Sequence, residues 1–341
     1  MQLRRFAHLM TALVLSASLA ACGGISAGKG RHNVPLSQDA KTRLASIGSS
    51  AAEPMLIRIF KESSELEVWK RTKTGAYKLF KSYEICTWSG GLGPKIKEGD
   101  RQSPEGFYTI TPGLMNPNSN YYLAFNTGFP NKFDRAWGRT GSNLMVHGDC
   151  SSSGCYAMTD DQIKEIYALA RETFEGGNGN FQLQIYPFRM TPKNLARHHD
   201  DPNMAFWRNL KDGYDRFELT RTPPSWDVCN KEYVFGVPQG LTLDAAAACP
   251  AQAIVRTAEL DAKQAADDQA IAVEVASLSA KQAKDAAVAA SEAKEKAAIA
   301  ARGEAIGGFV TGLTGGGQTT VKAVIDPNVQ APTPMPRNKR G

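Results

Sequence analysis

Residues 144–167 read LMVHGDCSSSGCYAMTDDQIKEIY, and they place one histidine and two cysteines within nine positions. The apolar stretch that ends at His147 predicts a short buried strand. From Thr159 onward the period becomes helical, because Thr159 and Gln162 match a capping box and the apolar side chains that follow lie on one face. The segment therefore predicts a strand, a loop rich in serine and glycine, and a helix over residues 160 to about 174.

The sequence on either side predicts further strands. Residues 55–86 alternate apolar and polar side chains in runs bounded by Ser, Thr and Gly, a pattern typical of half-exposed strands joined by hairpins. The same pattern recurs in three later segments, which are residues 106–115, 121–129 and 181–188. Short helices are predicted near 193–198 and 203–214. We therefore predict an α+β fold, mainly β with a few helices, in which a catalytic domain with a C-terminal extension occupies residues 51–250.

The amino-terminal residues have the pattern of a secretory signal. Arg4 and Arg5 precede an apolar run over residues 9–21 that is too short to span a bilayer as a mature helix. The run ends in LAAC, which resembles the lipobox of bacterial lipoproteins, in which the cysteine is acylated and the peptide is cut just before it. We predict a lipoprotein signal peptide over residues 1–21 and lipidation at Cys22. An ordinary signal peptide with an incidental cysteine is the alternative.

A lipidated cysteine predicts where the protein works. Fatty chains would hold the protein on a membrane, since each buried methylene contributes about 0.8 kcal/mol. Gly23 rather than Asp follows Cys22, which favours the outer membrane in lipoproteins of enteric type. Residues 22–50 are rich in Gly and Ser and predict a flexible tether with a short helix from about 37 to 47. The predicted location is the periplasm, with a lipid anchor in the outer membrane.

Alanine dominates the sequence after the predicted domain. Residues 251–306 predict one long helix, since nearly half of the residues between 258 and 301 are Ala and neither Gly nor Pro interrupts them. Residues 307–341 are rich in Gly and then in Pro, and they predict a flexible tail.

A seven-residue repeat runs along this helix, and we call its positions the alanine seam. The seam consists of Ala258, Ala262, Ala265, Gln269, Ala272, Ala276, Ser279, Ala283, Ala286, Ala290, Ala293, Ala297 and Ala300. Small residues at this spacing predict a coiled coil, and hence self-association through residues 258–301. A single solvated helix is the alternative, because Ala buries little area.

His147 and Cys155 have the arrangement that nucleophilic catalysis requires. A cysteine attacks carbonyl groups as the thiolate, so it needs a base nearby and donors that face the oxyanion. His147 stands where a strand ends and Cys155 on a turn before a capped helix, so both side chains have rigid support. The backbone N–H groups of Ser153, Gly154, Cys155 and Gly148 are candidate donors. We expect an ionised Cys155 sulfur within hydrogen-bonding reach of the His147 imidazole.

The motif HG followed by SxGC resembles the L,D-transpeptidase catalytic domain, also called the YkuD type. Upstream, KEGDRQSPEGFYTI at residues 97–110 is similar to the GD..TPEG.Y turn and strand of those enzymes, and the resemblance covers roughly residues 53–190. It implies a β-rich catalytic domain that acts on the stem peptides of peptidoglycan without a cofactor. By position, Cys155 matches the nucleophile and His147 the base, and Gly148 and Gly154 match the motif glycines.

Two departures from the family pattern concern substrate binding. Ser153 replaces a second histidine found in many members, and Ala157 stands where those members have an arginine. We expect the contact with a substrate carboxylate to come instead from Arg135 or Arg139. The stretch RTGSNLMVHGDCSSSGCYAMTDDQI resembles the YafK-like branch of the family, whose members include an enzyme that releases Braun-type lipoprotein from peptidoglycan by hydrolysis.

The resemblance implies two-step chemistry on peptidoglycan. The thiolate attacks the carbonyl at the L-centre of meso-diaminopimelate and forms a thioester, which an amine resolves in L,D-transpeptidation. Water resolves it in hydrolysis of crosslinks or of protein–peptidoglycan links. The implied partners are peptidoglycan and the outer-membrane proteins attached to it. The net charge of +6 is spread along the 341 residues and gives little support for nucleic-acid binding.

Metal binding is a competing interpretation of the central segment. A zinc site would combine His147, Cys150 and Cys155 with His198 or His199. The spacing fits no common zinc pattern and the loop lacks a paired CxxC, so we predict no metal.

Disulfide formation is a second competing interpretation, because the periplasm is oxidising. Proximity in sequence favours a bond between Cys229 and Cys249, which leaves Cys86 with Cys150. A bond between Cys150 and Cys155 is the alternative, and it would disable the nucleophile.

A different class of function also fits the sequence. The protein can be a catalytically idle lipoprotein that binds the cell wall and uses its alanine-rich helix to oligomerise or to bridge membrane and wall. A thiol-reactive carbapenem discriminates the two, since it acylates Cys155 in the enzyme alone.

Overall fold

The computed structural model describes residues 30–253 and 255–313, with side chains to residue 302, and two five-stranded mixed sheets form its framework. The strands are β1 (Met55–Phe60), β2 (Glu65–Arg71), β3 (Tyr77–Glu84), β4 (Thr87–Trp88), β5 (Gly106–Ile110), β6 (Met115–Asn116), β7 (Ala124–Asn126), β8 (Met145–His147), β9 (Tyr156–Ala157), β10 (Phe181–Tyr186), β11 (Trp226–Cys229) and β12 (Glu232–Phe235). The α-helices are α1 (Gln38–Ser46), α2 (Lys132–Ala136), α3 (Asp160–Glu175), α4 (Pro192–Arg197), α5 (Met204–Thr220) and α6 (Ala258–Leu313). The predicted α+β class, with a long C-terminal helix, is confirmed.

The first sheet has the strand order β3-β2-β1-β10-β5, and β1 lies parallel to β10. All six residues of β1 are buried, as a central strand covered on both faces requires. Its charged residue, Arg58, faces α5, where its guanidinium donates to Glu218 at 2.8 Å and lies over the ring of Tyr214. The other face of β1 presents Ile57 and Ile59 to the main apolar core.

The second sheet has the order β4-β9-β8-β7-β6, and β8 lies parallel to β9. The helix α3 follows β9 directly and packs its apolar face into the core that both sheets share. Both bonds of the predicted capping box are present, between Thr159 and Gln162. Because α3 begins three residues after β9, it fixes the carboxyl end of the strand that carries the candidate nucleophile.

The segment 22–50 was expected to be a flexible tether, and from residue 30 onward this expectation is wrong. Leu36, Ala40 and Leu44 are each at most 4% exposed and belong to the main core. Arg171 on α3 holds the preceding turn, since its guanidinium donates to the carbonyl oxygen of His32 at 2.5 Å. The segment docks because these apolar side chains stand four residues apart, so α1 and the residue before its cap present one buried stripe to the core.

The C-terminal extension of the domain packs against the first sheet through α5 and the hairpin of β11 and β12. Phe217 of α5 contacts Leu56 of β1 in a small apolar cluster. The indole N–H of Trp207 donates to the buried carboxylate of Glu105 at 2.9 Å. A disulfide between Cys229 and Cys249 closes the hairpin region and confirms that predicted pair.

Among the described residues, those up to 276 form one compact unit and those from 277 to 313 belong to a second. In the first unit, α6 buries Leu260 and Ile271, and the ammonium of Lys211 on α5 bonds to Asp267 at 2.5 Å. The alanine seam does not take part in this packing, because its members from Ala258 to Ala276 are all exposed.

The second unit continues α6 as far as Leu313, so the helix does not end at residue 306 as predicted. A long helix tolerates the two glycines at 307 and 308, since each costs only about 1 kcal/mol and no new nucleus is required. Side chains 281–302 are all exposed. Across the described ranges, no helix combines the length and the apolar character that crossing a membrane requires. The predicted signal, Cys22 and the tail beyond 313 lie outside the described residues.

Candidate active site

His147 is the last residue of β8, and Cys155 immediately precedes β9, the parallel strand beside it. In the register of β8 and β9, Val146 pairs with Tyr156 and both side chains are fully buried on one face. Because side chains alternate along a strand, Cys155 and His147 project from the opposite face as diagonal neighbours. The register thus brings the two predicted catalytic residues together.

The thiol and the imidazole are not bonded to each other in the resting site. Among the described residues, the sulfur of Cys155 accepts from the backbone N–H of Met145 at 3.4 Å and donates to the carbonyl oxygen of Asn143 at 3.5 Å. The expected hydrogen bond between Cys155 and His147 is therefore absent from this conformation. The reason is local, since the first residue of β8, Met145, offers the sulfur a donor and Asn143, two residues earlier, offers an acceptor.

His147 is held as a neutral base. Its Nδ1 lies 2.6 Å from the carbonyl oxygen of Gly148, and since a carbonyl only accepts, Nδ1 carries the proton and Nε2 keeps its lone pair. Burial lowers the pKa of His147 below its ordinary value, against the opposing effects of the Gly148 bond and the charge of Asp149. Near neutral pH the imidazole is therefore uncharged and able to accept a proton.

The ring of Tyr121 contacts the imidazole of His147, with ring centroids 4.7 Å apart. Tyr121 is half exposed, so it covers His147 from the solvent side. The sequence pattern does not single out Tyr121, because the aromatic pair in YYLAF is typical of a strand.

Cys155 is protonated in the resting site rather than ionised. Burial raises the pKa of its thiol, and the bond from the Met145 N–H offsets this only in part. The expected thiolate therefore does not form without a base, and His147 is the neutral base on the same face of the two strands.

The oxyanion donors predicted from the sequence divide into two groups. The N–H of Gly148 donates to the carbonyl oxygens of Tyr121 at 3.0 Å and Leu123 at 3.2 Å, so Gly148 is wrong as a donor. Glycine is required there for space, since a Cβ would lie 2.5 Å from Oδ1 of Asp160. The backbone N–H groups of Ser153 and Gly154 have no acceptor in the described part of the chain, and they remain candidates.

The loop between β8 and β9 is held at both ends. A disulfide joins Cys150 to Cys86, which confirms the predicted pair and leaves Cys155 as a free cysteine. At the other end, the hydroxyl of Ser152 accepts from the Cys155 N–H at 3.0 Å, and the hydroxyl of Ser103 donates to the Cys155 carbonyl at 3.1 Å. These bonds fix the backbone that carries the candidate nucleophile.

An open polar groove of about 480 Å³ reaches the thiol. It is lined by Lys95, Glu98, Gly99, Arg101, Ser142, Asn143, Leu144, Ser153 and Cys155. A groove of this size, with the thiol in its wall, has room for a short peptide segment.

Neither arginine predicted to bind a carboxylate lines this groove. Arg139 is buried, and its guanidinium bonds to Asp134 at 2.9 Å and lies over the ring of Phe133. Arg135 is exposed on α2 and donates to the carbonyl oxygen of Pro130. Both arginines are close in sequence to the motif, but their side chains bind Pro130 and Asp134 outside the groove. Two other cations line the groove, Lys95 and Arg101.

Comparison with known proteins assigns the class. The L,D-transpeptidase catalytic domain (YkuD) family matches residues 54–176, a range that contains both His147 and Cys155. The Escherichia coli (strain K12) protein called "Putative L,D-transpeptidase YafK" is 45% identical over 230 residues, which cover 67% of this chain and 90% of that protein. The chain belongs to the L,D-transpeptidase (YkuD) family, as the sequence motifs predicted. Membership supports a peptidoglycan-modifying function of the L,D-transpeptidase type and implies a periplasmic location.

Two solved structures show more distant similarity. The helical cell shape determining protein Pgp2 from Campylobacter jejuni has a TM-score of 0.33 and 17% identity, and the match covers 56% of this chain and 80% of that one. Bd1075 from Bdellovibrio bacteriovorus has a TM-score of 0.29 and 20% identity, with coverage of 49% and 59%.

Proposed function

We propose that Cys155 is the nucleophile and His147 the base of an enzyme that forms a thioester with stem peptides containing meso-diaminopimelate. The observation that carries the proposal is the register of β8 and β9, which sets a free thiol and a neutral imidazole on one face, with the thiol in the wall of an open groove. Family membership supplies the substrate class, which is peptidoglycan.

The first step begins with a rotation of the Cys155 side chain from Asn143 toward Nε2 of His147. The proton moves from sulfur to Nε2 as the sulfur forms a bond with the carbonyl carbon at the L-centre of diaminopimelate. The N–H groups of Ser153 and Gly154 donate to the oxyanion. The C–N bond then breaks, and the imidazolium of His147 gives its proton to the leaving amine.

The second step resolves the thioester by attack of an amine or of water. His147 takes a proton from the attacking group, and the thiolate of Cys155 leaves and is reprotonated. An amine gives a new crosslink, and water gives a shortened stem or a released protein. The groove is open and polar, so it admits both acceptors.

We also propose that lipidation at Cys22 anchors the protein in the outer membrane, and that the peptidoglycan substrate includes stems to which outer-membrane proteins are attached. The exposed alanine seam favours a further role for α6 in self-association. Self-association is compatible with catalysis, and it is also the basis of the alternative function as an idle wall-binding lipoprotein.

The decisive experiment incubates the soluble protein with purified sacculi and identifies released and exchanged stem peptides by mass spectrometry. We expect released or exchanged stem peptides with the wild type and none with Cys155→Ala. Full turnover by purified Cys155→Ala would refute the assignment. A carbapenem adduct on Cys155 supports the enzyme, whereas absence of an adduct on folded wild-type protein favours the idle lipoprotein.

A further inference from the structure

Two charged side chains in the groove, Glu98 and Arg101, have no part in the chemistry proposed above. Both are exposed and lie in the loop that joins β4 to β5. Within the described chain, the guanidinium of Arg101 has no hydrogen-bond or ion-pair partner. The Glu98 carboxylate accepts only from the hydroxyl of Ser142, at 3.3 Å, and pairs with no described cation. An anion and a cation therefore face the same groove without neutralising each other.

Asp100 fixes the loop between these two charges. Its carboxylate accepts the backbone N–H groups of Ile96 and Lys97, each at 2.9 Å, and it also binds the ammonium of Lys95. Burial opposes ionisation of Asp100, but these bonds outweigh it and lower its pKa to about 2. Lys95 is thus already paired, so Arg101 remains the cation that is free to bind a ligand.

The backbone of Glu98 is anchored from the opposite wall of the groove, since its N–H donates to the hydroxyl of Thr140 at 3.1 Å. The bond from Ser142 restrains its carboxylate from the same wall. Positions fixed in this way favour recognition, because less conformational freedom is lost when a ligand binds.

A carboxylate and a guanidinium in one groove are complementary to a zwitterion, which carries an ammonium and a carboxylate on one carbon. A ligand with a single charge leaves one of the two residues without a partner. The stem peptide of the proposed function has a zwitterionic end. The D-centre of meso-diaminopimelate carries both groups when it is free of crosslinks, and three methylenes separate it from the L-centre that Cys155 attacks.

We propose that Glu98 binds the ammonium and Arg101 the carboxylate of the D-centre, so that the enzyme selects donor stems whose D-centre is free. This inference rests on the proposed function and deepens it. It gives Arg101 the carboxylate contact that the sequence analysis assigned to Arg135 or Arg139.

The test compares three tetrapeptide stems, which are the unmodified stem, the stem amidated at the D-centre carboxyl and the stem acetylated at the D-centre amine. The measured quantity is kcat/KM for the soluble wild type, Arg101→Gln and Glu98→Gln. The wild type should prefer the unmodified stem by about tenfold or more over each modified one, as expected for loss of a charged hydrogen bond.

The two variants should lose different preferences. Arg101→Gln should turn over the amidated and unmodified stems equally well and still reject the acetylated stem. Glu98→Gln should turn over the acetylated and unmodified stems equally well and still reject the amidated stem. The matched exposed variants Arg135→Gln and Glu84→Gln lie outside the groove and should keep both preferences. The inference would be overturned if both groove variants kept the wild-type preferences. It would also be overturned if each variant lost kcat/KM equally on all three stems.

A binding measurement separates this inference from the proposed chemistry. Calorimetry of the three stems with Cys155→Ala needs no turnover. One outcome is that the wild type turns over no stem while Cys155→Ala still binds the unmodified stem selectively and Arg101→Gln abolishes that selectivity. This result would refute the proposed catalysis and support the binding site. Turnover of all three stems without selectivity would refute the binding site at Glu98 and Arg101 and support the proposed catalysis.

Discussion

The backbone N–H of Met145 donates to the sulfur of Cys155 at 3.4 Å, because the two residues lie side by side where β8 and β9 begin their parallel pairing. This bond stabilises negative charge on the sulfur, but burial opposes it and the net result is a raised pKa for the thiol. The nucleophile therefore forms only when a base removes the proton. In the proposed mechanism, activity therefore depends on the protonation state of His147.

The first prediction concerns the pH dependence of kcat/KM. The imidazole must be neutral to act as a base, and burial lowers its pKa from the ordinary 6.5. Activity should therefore persist as the pH falls to 6.5 and decline only at lower pH, as His147 becomes protonated. The negative charge of Asp149 raises this pKa, so Asp149→Asn should move the decline to still lower pH.

Stem turnover measured between about pH 4 and 8 checks this prediction. Asp161→Asn is the control, because Asp161 is an exposed carboxylate at the start of α3 whose charge is paired with Lys164. A decline that begins above pH 6.5, or one that Asp149→Asn leaves in place, would contradict the assigned role of His147.

The second prediction concerns the space at Gly148. A Cβ there would lie 2.5 Å from Oδ1 of Asp160 and 3.0 Å from the carbonyl oxygen of Tyr121. Gly148→Ala should therefore displace the His147–Gly148 peptide, lower the free energy of unfolding by about 1–3 kcal/mol and reduce kcat more than it raises KM. Gly179→Ala is the control, because a Cβ at 179 meets no atom within 4 Å. Equal effects of the two substitutions on unfolding and turnover would show that crowding at 148 has no special importance.

Local sequence patterns predicted the elements that carry the site. The relative positions of its side chains depend on pairing between distant segments, which local patterns do not specify. The strand ending at His147 and the capped helix after Thr159 depend on neighbours within a few residues, so the sequence alone predicted both. The direction of the Cys155 thiol depends on the register of two strands of only three and two residues, which no local pattern specifies. The cover that Tyr121 gives His147 and the approach of Arg101 to the groove depend likewise on distant segments coming together.

In the N-terminal segment the short helix predicted near 37–47 is present as α1, but the prediction of a flexible tether was wrong for another reason. Its Gly and Ser content suggested a tether, whereas the apolar stripe of α1 provided enough burial to dock it. Composition averaged over nearly thirty residues concealed three side chains at helical spacing.

The third prediction distinguishes the two disulfides. The bond between Cys86 and Cys150 holds the loop that leads to the nucleophile, whereas that between Cys229 and Cys249 lies in the C-terminal extension. Replacing either pair by serine should lower the free energy of unfolding by about 2–4 kcal/mol, through the entropy gained by the unfolded chain. The Cys86/Cys150 double variant alone should also lose turnover at a temperature where both variants are folded.

Denaturant unfolding and stem turnover, measured on both double variants, check this prediction. Replacing both cysteines of a pair leaves neither of them free to form a disulfide with Cys155. If the Cys229/Cys249 variant loses as much turnover as the other, the Cys86–Cys150 disulfide has no specific effect on the loop.

The fourth prediction concerns the alanine seam. Its members on the first unit face away from the domain, and its later members are exposed as far as the side chains are described, so the seam is available to a second copy of the chain. Close approach of two helices requires small side chains at these positions, and a buried unpaired charge there is costly. Sedimentation of the soluble protein should therefore show a species larger than the monomer, and the double variant Ala290→Glu/Ala297→Glu should be monomeric. The control Ala289→Glu/Ala298→Glu places the same two charges one residue outside the seam and should retain the larger species. A monomeric wild type, or a seam variant that still associates, would leave α6 as a solvated helix.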